Sequence, residues 1–321
     1  MAIPLLVLIE TAPDAIASLT AAGFDPHQAP TTEDRSRLFQ TSTLPFRAVL
    51  TNGSTGLTAE EMDSLPDLEI VCAQGAGYER IDLEAAKRRG LVVTHGPGTN
   101  DISVADHALA LMLSIARDIP GADRTVRAGG WRRARHPRPG VTGKRLGILG
   151  LGRIGSLIAR RGSQGFDMPV AYHNRHPREG APYLFLNTVR DLADWADFLV
   201  VATPGGPETR HLVDDAILNA LGPRGFLINI ARGSVVDTEA LIDALRTRRL
   251  GGAALDVLDG EPEIPPGISD LDTLILTPHI AGRSPEAIAA ITQLVVENLS
   301  LHFSGQPPKT PVPALLIPAG P

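Results

Sequence analysis

The sequence has little of what several classes of protein require. Aromatic residues make up 4% of the 321 residues, and the single cysteine, Cys72, leaves no partner for an intrachain disulfide or a cysteine metal cluster. The 30 Lys and Arg residues are outnumbered by 36 Asp and Glu, which argues against a nucleic-acid-binding protein. No apolar run approaches the ~18 residues that cross a bilayer. We therefore expect neither nucleic acid nor membrane as a partner, and the single cysteine favours the cytoplasm.

What the chain has in abundance is glycine, with 32 residues, together with short β-branched runs that alternate with helical patterns. This alternation is typical of parallel sheets covered by helices, and the length predicts two domains. The first half predicts strands at residues 5–9, 47–50, 69–73 and 91–94. The second half predicts strands at residues 146–149, 169–172, 198–202, 226–230, 252–257 and 274–276.

Helical patterns lie between most of these strands. They cover residues 13–22, 58–64, 82–89, 103–117, 153–164, 214–220, 238–248 and about 285–303. Thr58 and Glu61 form a capping-box pattern, and the segment 103–117 is apolar enough to predict a buried helix. The Arg-rich segment 124–140, which contains Trp131, is interpreted as a solvated connector, with a dimer contact or an anion-facing rim as alternatives.

A glycine-rich turn marks the start of the second series of strands. Gly150, Gly152 and Gly155 form a G-x-G-x-x-G pattern between an apolar strand and a helix, which is typical of a pyrophosphate-binding loop. The alternative is a structural turn without a ligand. About 20 residues further on, where an NAD site usually has an acid, the sequence has Asn174 and Arg175. A guanidinium can pair with a 2′-phosphate, so NADP(H) is favoured over NAD(H).

Three chemically active side chains follow three successive strands of the second half. Arg232 follows the strand at 226–230, Glu261 lies shortly after 252–257, and His279 follows 274–276. Ligands bind at the carboxyl ends of such strands, and histidine can carry a proton near neutral pH. A carboxylate touching the imidazole would favour its protonated form. Taken singly, each residue could instead form a salt bridge or lie on the surface.

Several motifs together resemble the family of D-isomer-specific 2-hydroxyacid dehydrogenases. They are residues 75–78 with 81–82, 104–107, 143–155, 229–233, 256–262 and 277–279. The resemblance implies an α/β fold of two Rossmann-like, doubly wound parallel-sheet domains. A cofactor domain, residues 101–287, is expected as an insertion in a discontinuous catalytic domain formed by residues 1–100 and 288–321.

The resemblance also implies an activity and a set of site residues. The expected reaction is NADPH-dependent reduction of a small 2-oxo acid, such as glyoxylate, hydroxypyruvate or a related 2-keto acid, to the D-2-hydroxy acid. The expected catalytic residues are Arg232, Glu261 and His279, with His279 as the general acid, and substrate contacts are expected from Ala76, Gly77, Arg232 and Arg283. The cofactor is expected to contact Gly150, Gly152, Arg153, Ile154, Asn174, Arg175, Thr203, Pro204, Ile230, Asp256, His279 and Gly282.

Within the family, Asn174 and Arg175 are similar to the pair found in NADPH-using glyoxylate/hydroxypyruvate and 2-ketoaldonate reductases. The resemblance further implies a homodimer and no metal. One alternative is a nicotinamide-sensing, corepressor-like regulator of the same fold. A formate dehydrogenase is disfavoured, because that group has an amide where this chain has Glu261.

Overall fold

The computed structural model describes residues 2–41 and 44–313. The chain forms two compact units. The first contains both ends of the chain, up to Asn100 and from Arg283 onward, and the second runs from Asp101 to Gly282. Each unit contains one parallel β-sheet. No helix among the described residues is both long and apolar enough to span a membrane.

The first unit is built on a five-stranded sheet in the order β2-β1-β3-β4-β5. Its strands are β1 (Ile3–Val7), β2 (Phe24–Gln28), β3 (Ala48–Thr51), β4 (Ile70–Ala73) and β5 (Val92–Thr94). Its helices from the first part of the chain are α1 (Pro13–Ala21), α2 (Thr32–Thr41), α3 (Ala59–Asp63) and α4 (Leu83–Arg88). Thr58 and Glu61 form the expected capping box at the start of α3.

Strand β1 shows why this sheet has unbroken apolar runs. Leu5 and Val7 enter one hydrophobic cluster, while Leu6 and Leu8 enter the other, on the opposite face. Both faces of a parallel sheet are covered, so alternation with polar residues is lost. The single thiol, Cys72, lies fully buried in β4, and burial raises its pKa to about 12.

The second unit has a seven-stranded parallel sheet in the order β12-β11-β10-β9-β6-β7-β8. Its strands are β6 (Leu146–Leu149), β7 (Val170–His173), β8 (Leu184–Phe185), β9 (Phe198–Val201), β10 (Phe226–Asn229), β11 (Gly252–Leu255) and β12 (Leu274–Leu276). Its helices are α5 (Asp101–Arg117), α6 (Ile119–Arg127), α7 (Arg153–Phe166), α8 (Val189–Trp195), α9 (Asp215–Leu221) and α10 (Thr238–Arg246). The last helix of the chain, α11 (Pro285–Phe303), belongs to the first unit, where it packs on α1 and β4.

Strand order places a reversal in the second sheet between β6 and β9. From β6 the chain moves outward to β7 and β8, then returns to β9 on the other side of β6. In open α/β sheets, ligands bind at the carboxyl ends of the strands at such a reversal. Helices α5 and α7 cover one face through residues such as Ala105 and Ile158, and α8, α9 and α10 cover the other.

The α/β fold predicted from the sequence is confirmed, but several peripheral elements were not predicted. The missed elements are β2, α2, α6, β8 and α8. The segment 124–140 was interpreted as a connector, yet its first four residues end helix α6. Trp131 follows in a turn and is 66% exposed. Strand β1 begins at Ile3 rather than at residue 5, because its pairing with β2 starts there.

Candidate active site

The glycine loop between β6 and α7 has the geometry needed for a close approach to a phosphate. Gly150 has φ +102°, and a Cβ there would lie 2.8 Å from the backbone of Ala202 and Thr203. A Cβ at Gly155 would lie 2.1 Å from Gly150 O, so only glycine lets the helix pack this close. A Cβ at Gly152 would meet nothing within 4 Å, and no side chain caps the helix there. Open space and uncapped helix amides fit an anionic group of a dinucleotide.

Two side chains from the segment after β7, those of Asn174 and Arg178, form hydrogen bonds with the glycine loop. The Leu151 amide donates to Asn174 Oδ1 at 2.7 Å. The Arg178 guanidinium lies on the loop itself, where Nη1 donates to Leu151 O at 3.0 Å and to Ser156 Oγ at 2.5 Å. The segment after β7 therefore places an amide and a cation at the glycine loop.

Arg175 lies further out, on the surface. Its Nη1 donates to Glu208 Oε2 at 2.7 Å, and the two side chains are 84% and 76% exposed. Glu208 belongs to the segment that follows β9, which also contains Thr203 and Pro204. These two segments therefore meet through one solvent-exposed ion pair.

Other residues expected to contact the cofactor lie along the same edge. Arg153, the first residue of α7, donates through Nε to Asp101 Oδ2 at 2.6 Å. Ile154 packs against the core beneath the loop. Ile230 is buried just after β10, and its amide donates to Val201 O at 3.3 Å. Gly282 is the last residue of the second unit.

Arg232 follows β10 in a turn fixed by a buried amide side chain. Asn229, 1% exposed, donates through Nδ2 to Arg232 O at 3.0 Å and accepts from the Ala231 amide at 3.0 Å. A Cβ at Gly205 would lie 2.7 Å from Arg232 Cγ, so the arginine stem lies against that glycine. A Cβ at Gly233 would lie 1.9 Å from Leu258 C. Glycine here lets the Arg232 turn pack directly on the segment that carries Glu261.

Glu261 and His279 are joined by a hydrogen bond. His279 Nδ1 lies 2.5 Å from Glu261 Oε1, and both side chains are partly exposed, at 39% and 28%. The second carboxylate oxygen of Glu261 accepts from the Leu258 amide at 3.2 Å. His279 Nε2 is the ring nitrogen on the far side from this bond.

The charges of His279 and Arg232 both influence the pKa of Glu261. Burial raises the pKa of Glu261, but the hydrogen bond and charge of His279, the Leu258 amide and the charge of Arg232 outweigh burial. The pKa of Glu261 therefore lies below its usual range, and the carboxylate stays ionised beside the imidazole. An ionised carboxylate in this position can only accept a hydrogen bond, so it fixes the orientation of the imidazole.

The loop of residues 277–281, here called the histidine loop, is anchored on Asp256. This side chain is 1% exposed; its Oδ1 accepts from Thr277 Oγ1 at 2.6 Å and from the Ile280 amide at 2.9 Å. Its Oδ2 accepts from the Ala281 amide at 2.9 Å, and the His279 amide donates to Asp256 O at 2.8 Å. Burial raises the pKa of Asp256, but hydrogen bonds from His107, Thr277, Ala281 and Ile280 bring it below the usual range.

The remaining residues expected to contact substrate lie in the first unit. Ala76 and Gly77 follow β4, and Ala76 O lies 3.0 Å from His95 Nδ1. A Cβ at Gly53 would lie 2.7 Å from Gly77 C, so the turn after β3 packs on this segment. Arg283 is exposed and comes just before Ser284, the N-cap of α11.

Sequence reasoning missed three features of the site. The direction of Arg178 was open because Pro177 precedes it. The supporting role of Asn229 went unrecognised, although a polar residue inside the apolar strand β10 is a usable signal, since buried amides require partners. Asp256 was expected only as a cofactor contact, whereas both of its carboxylate oxygens hold the histidine loop.

Comparisons with known proteins place this chain in one family. Residues 109–281 match the sequence model of the NAD-binding domain of D-isomer specific 2-hydroxyacid dehydrogenases. Glyoxylate/hydroxypyruvate reductase A of Arabidopsis thaliana is 42% identical over 88% of this chain and 90% of its own. Hydroxyphenylpyruvate reductase of Plectranthus scutellarioides is 42% identical over 83% of this chain and 85% of its own.

A solved structure is similar over nearly the whole chain. It is the NADPH-dependent glyoxylate/hydroxypyruvate reductase of Sinorhizobium meliloti in complex with NADP and malonate. The TM-score is 0.86 at 35% identity, covering 98% of each chain. The resemblance seen in the sequence is confirmed: this chain belongs to the family of D-isomer-specific 2-hydroxyacid dehydrogenases and is an oxidoreductase with an NAD-binding domain.

Proposed function

We propose that this protein uses NADPH to reduce a small 2-oxo acid, such as glyoxylate or hydroxypyruvate, to the D-2-hydroxy acid. The observation that carries the proposal is the convergence of Arg232, Glu261 and His279 after three neighbouring strands, with Glu261 on the imidazole at 2.5 Å. The named activities of two relatives, glyoxylate/hydroxypyruvate reductases of a plant and a bacterium, support this substrate class.

In this proposal His279 donates the proton. Reduction of a ketone places negative charge on its oxygen, and a protonated imidazole can donate to that oxygen through Nε2. Glu261 accepts the hydrogen bond from Nδ1–H and favours the imidazolium over the neutral ring. The bound nicotinamide supplies the hydride that reduces the carbonyl carbon.

Arg232 binds the carboxylate of the 2-oxo acid and polarises its ketone. A guanidinium is suited to this task because its fork matches a carboxylate and its charge persists at every pH of interest. A cation held in place before charge develops stabilises the transition state more than the ground state. The family resemblance adds the Ala76 and Gly77 amides and Arg283 as substrate contacts.

The residues around the glycine loop fit a dinucleotide with a 2′-phosphate. Gly150, Gly152 and Gly155 supply the turn, the open space and the close helix packing. Arg178 on the loop and Arg175 near the surface provide cationic partners, and Asn174 replaces the usual acid. The remaining cofactor contacts that we propose are Arg153, Ile154, Thr203, Pro204, Ile230, Asp256, His279 and Gly282.

We propose the domain roles on the same basis. Residues 101–287 form the cofactor domain, and residues 1–100 with 288–321 form the catalytic domain. We further propose a cytoplasmic homodimer, in which α5 and the segment around Trp131 form the dimer contact.

The test is oxidation of NADPH or NADH, followed by absorbance, with glyoxylate, hydroxypyruvate, 2-ketogluconate and hydroxyphenylpyruvate. We expect the highest kcat/KM with NADPH and a small acid, and D-glycerate as the product from hydroxypyruvate by chiral chromatography. Faster turnover of the aryl substrate would contradict the small-acid assignment. No turnover with any of the four acids would contradict the reaction.

A substitution of Glu261 tests the proton-donating pair separately. In Glu261→Gln the imidazole loses its anionic partner, so as pH rises the reducing activity should be lost at a lower pH than in the wild type. The pH profile of kcat measures this shift. Glu263→Gln, two residues away and exposed, is the matched control. An unchanged profile in Glu261→Gln would refute the pairing.

A further inference from the structure

Helix α5 supplies two side chains to the histidine loop. Ser103 Oγ donates to Ala281 O at 2.6 Å, and His107 Nε2 lies 3.0 Å from Thr277 Oγ1. Residues four positions apart share one face of a helix, so this face contacts both ends of the loop. We propose that Ser103 and His107 are positioning residues that orient His279 for proton transfer, an inference that rests on the proposed function.

The hydrogen bonds around Thr277 have one consistent direction. Thr277 Oγ1 lies 2.6 Å from Asp256 Oδ1, and a carboxylate with a lowered pKa can only accept. The single hydroxyl proton of Thr277 therefore goes to Asp256, and the same oxygen must accept from His107 Nε2–H. A directed chain results, from His107 to Thr277 to Asp256, and Asp256 in turn receives the Ile280 and Ala281 amides.

The histidine loop needs such support because of its backbone. His279 has φ +54°, in the left-handed region that costs a residue with a side chain free energy. Conformations of this kind persist only where the surroundings impose them. Asp256 restrains the loop from within the sheet, and Ser103 and His107 restrain it from the helix, so His279 is held between two rigid elements.

Helix α5 is a firm base for this purpose. Its residues Ala105, Ala108 and Met112 are fully buried, and the helix packs on β10, β11 and β12. A side chain projecting from this helix is thus fixed relative to the strands that carry Arg232, Asp256 and His279. Packing of the helix and orientation of the imidazole are linked through Ser103 and His107.

The first experiment measures how often the histidine loop opens, independently of the reaction. Amide hydrogen exchange at His279, Ile280 and Ala281 is compared in the wild type, Ser103→Ala and His107→Leu. We expect exchange about fivefold faster in each variant, because one restraint of the loop is lost. His107→Gln, whose amide can donate in place of Nε2–H, should restore slow exchange. Asp106→Asn removes an ion pair between the same helix and Arg161 and serves as the control.

The second experiment measures kcat and the dissociation constant of NADPH in the same variants. We expect kcat to fall about tenfold in His107→Leu, within the ~10²-fold that a misplacement of about 1 Å can cost, with NADPH affinity unchanged. His107→Gln should recover most of the kcat. Wild-type exchange and wild-type kcat in both Ser103→Ala and His107→Leu would overturn the inference. Faster exchange without loss of kcat would overturn it too, because the restraint would then have no effect on the chemistry.

A third variant separates this inference from the proposed function. If His279→Asn is inactive while both helix variants keep full kcat, only the positioning inference fails. If His279→Asn keeps full activity, the proposed function fails and positioning for proton transfer fails with it.

Discussion

Two regions at the carboxyl edge of the second sheet differ sharply in how they are held. The reaction end comprises the segments after β10, β11 and β12, which carry Arg232, Glu261 and His279. The ribose end comprises the segments after β7 and β9, which carry Arg175 and Glu208. At the reaction end, the side chains of Asn229 and Asp256 are 1% exposed and form hydrogen bonds with neighbouring backbone groups. At the ribose end, the ion pair of Arg175 with Glu208 is largely in solvent.

This difference has energetic consequences. Buried hydrogen-bonded groups hold one geometry, and losing a partner exposes the full desolvation cost of the other. Exposed ion pairs contribute about 0–1 kcal/mol and exchange partners readily. Under the proposed function, the reaction end is therefore organised before substrate arrives, whereas Arg175 at the ribose end exchanges Glu208 for a phosphate. Substitutions should change catalysis strongly at the first and binding modestly at the second.

The largest effect is expected at His279. His279→Asn tolerates the left-handed backbone but removes the proton donor, so kcat for 2-oxo acid reduction should fall about 10²–10⁴-fold. Steady-state kinetics measure the loss, and the fall in kcat should far exceed any change in the dissociation constant of NADPH. His211→Asn is the matched control, since His211 also has a positive φ and lies 3.7 Å from an acid, Asp237. A loss below tenfold at His279 would remove the contrast between the two regions.

The next effect is expected at Arg232. Arg232→Gln removes a preorganised cation, so kcat/KM should fall about 10²–10³-fold, as when one transition-state donor is lost. Raised KM together with lowered kcat would indicate that the guanidinium acts in both binding and chemistry. Arg210→Gln, an exposed arginine 3.5 Å from Asp259, provides the comparison. Equal losses in the two variants would show that general charge, and not position, matters.

A third effect concerns stability at the reaction end. The pKa of Asp256 is lowered in the folded state, so as pH falls the unfolded chain takes up a proton before the folded chain does. The ionised Asp256 carboxylate therefore contributes to the free energy of unfolding above about pH 4. This contribution is lost as pH falls through the pKa of Asp256 in the folded state. Asp256→Asn should lower that free energy by about 1–3 kcal/mol at pH 7, because an amide N–H would face the Ala281 amide.

Urea unfolding at pH 7 and at about pH 3 measures this effect. The wild type should lose more stability between the two pH values than Asp256→Asn does. Asp123→Asn, in an exposed pair with Arg127, is the control. If the free energy of unfolding falls equally in the wild type and in Asp256→Asn, the pH dependence of stability does not come from Asp256.

Most strands of both sheets could be predicted from the sequence, including the edge strand β12, but the polar edge strand β2 could not. Strands β6 and β12 were predicted at their observed bounds, because each is a short apolar run between turn residues. Strand β2 contains Pro26 and polar residues at the edge of its sheet, and α2 has no buried residue. Such elements are fixed by tertiary contact, which no local pattern records.

Within the site, too, some features could be predicted from the sequence and others could not. That Arg232, Glu261 and His279 follow neighbouring strands could be inferred, because parallel strands end at one edge. The position of Arg178 on the glycine loop could not, since it depends on the path of the chain after β7. The contacts of Ser103 and His107 join residues 178 and 170 positions apart in sequence, respectively. Spacing within a motif carries no information on such pairs.

The smallest effect is expected at the ribose end, and it concerns the ratio of the affinities for NADPH and NADH. Arg175→Ala should weaken NADPH binding by about 1.5 kcal/mol, near the lower limit for hydrogen bonds to a charged group, because Glu208 competes for the guanidinium. NADH binding should not change. Glu208→Gln removes the competitor and should strengthen NADPH binding slightly, while Arg178→Ala should weaken it more than Arg175→Ala because Arg178 lies on the loop itself. Fluorescence titration of the wild type and the three variants with both cofactors measures these affinities. Equal losses for NADH and NADPH would mean that these arginines do not recognise the 2′-phosphate.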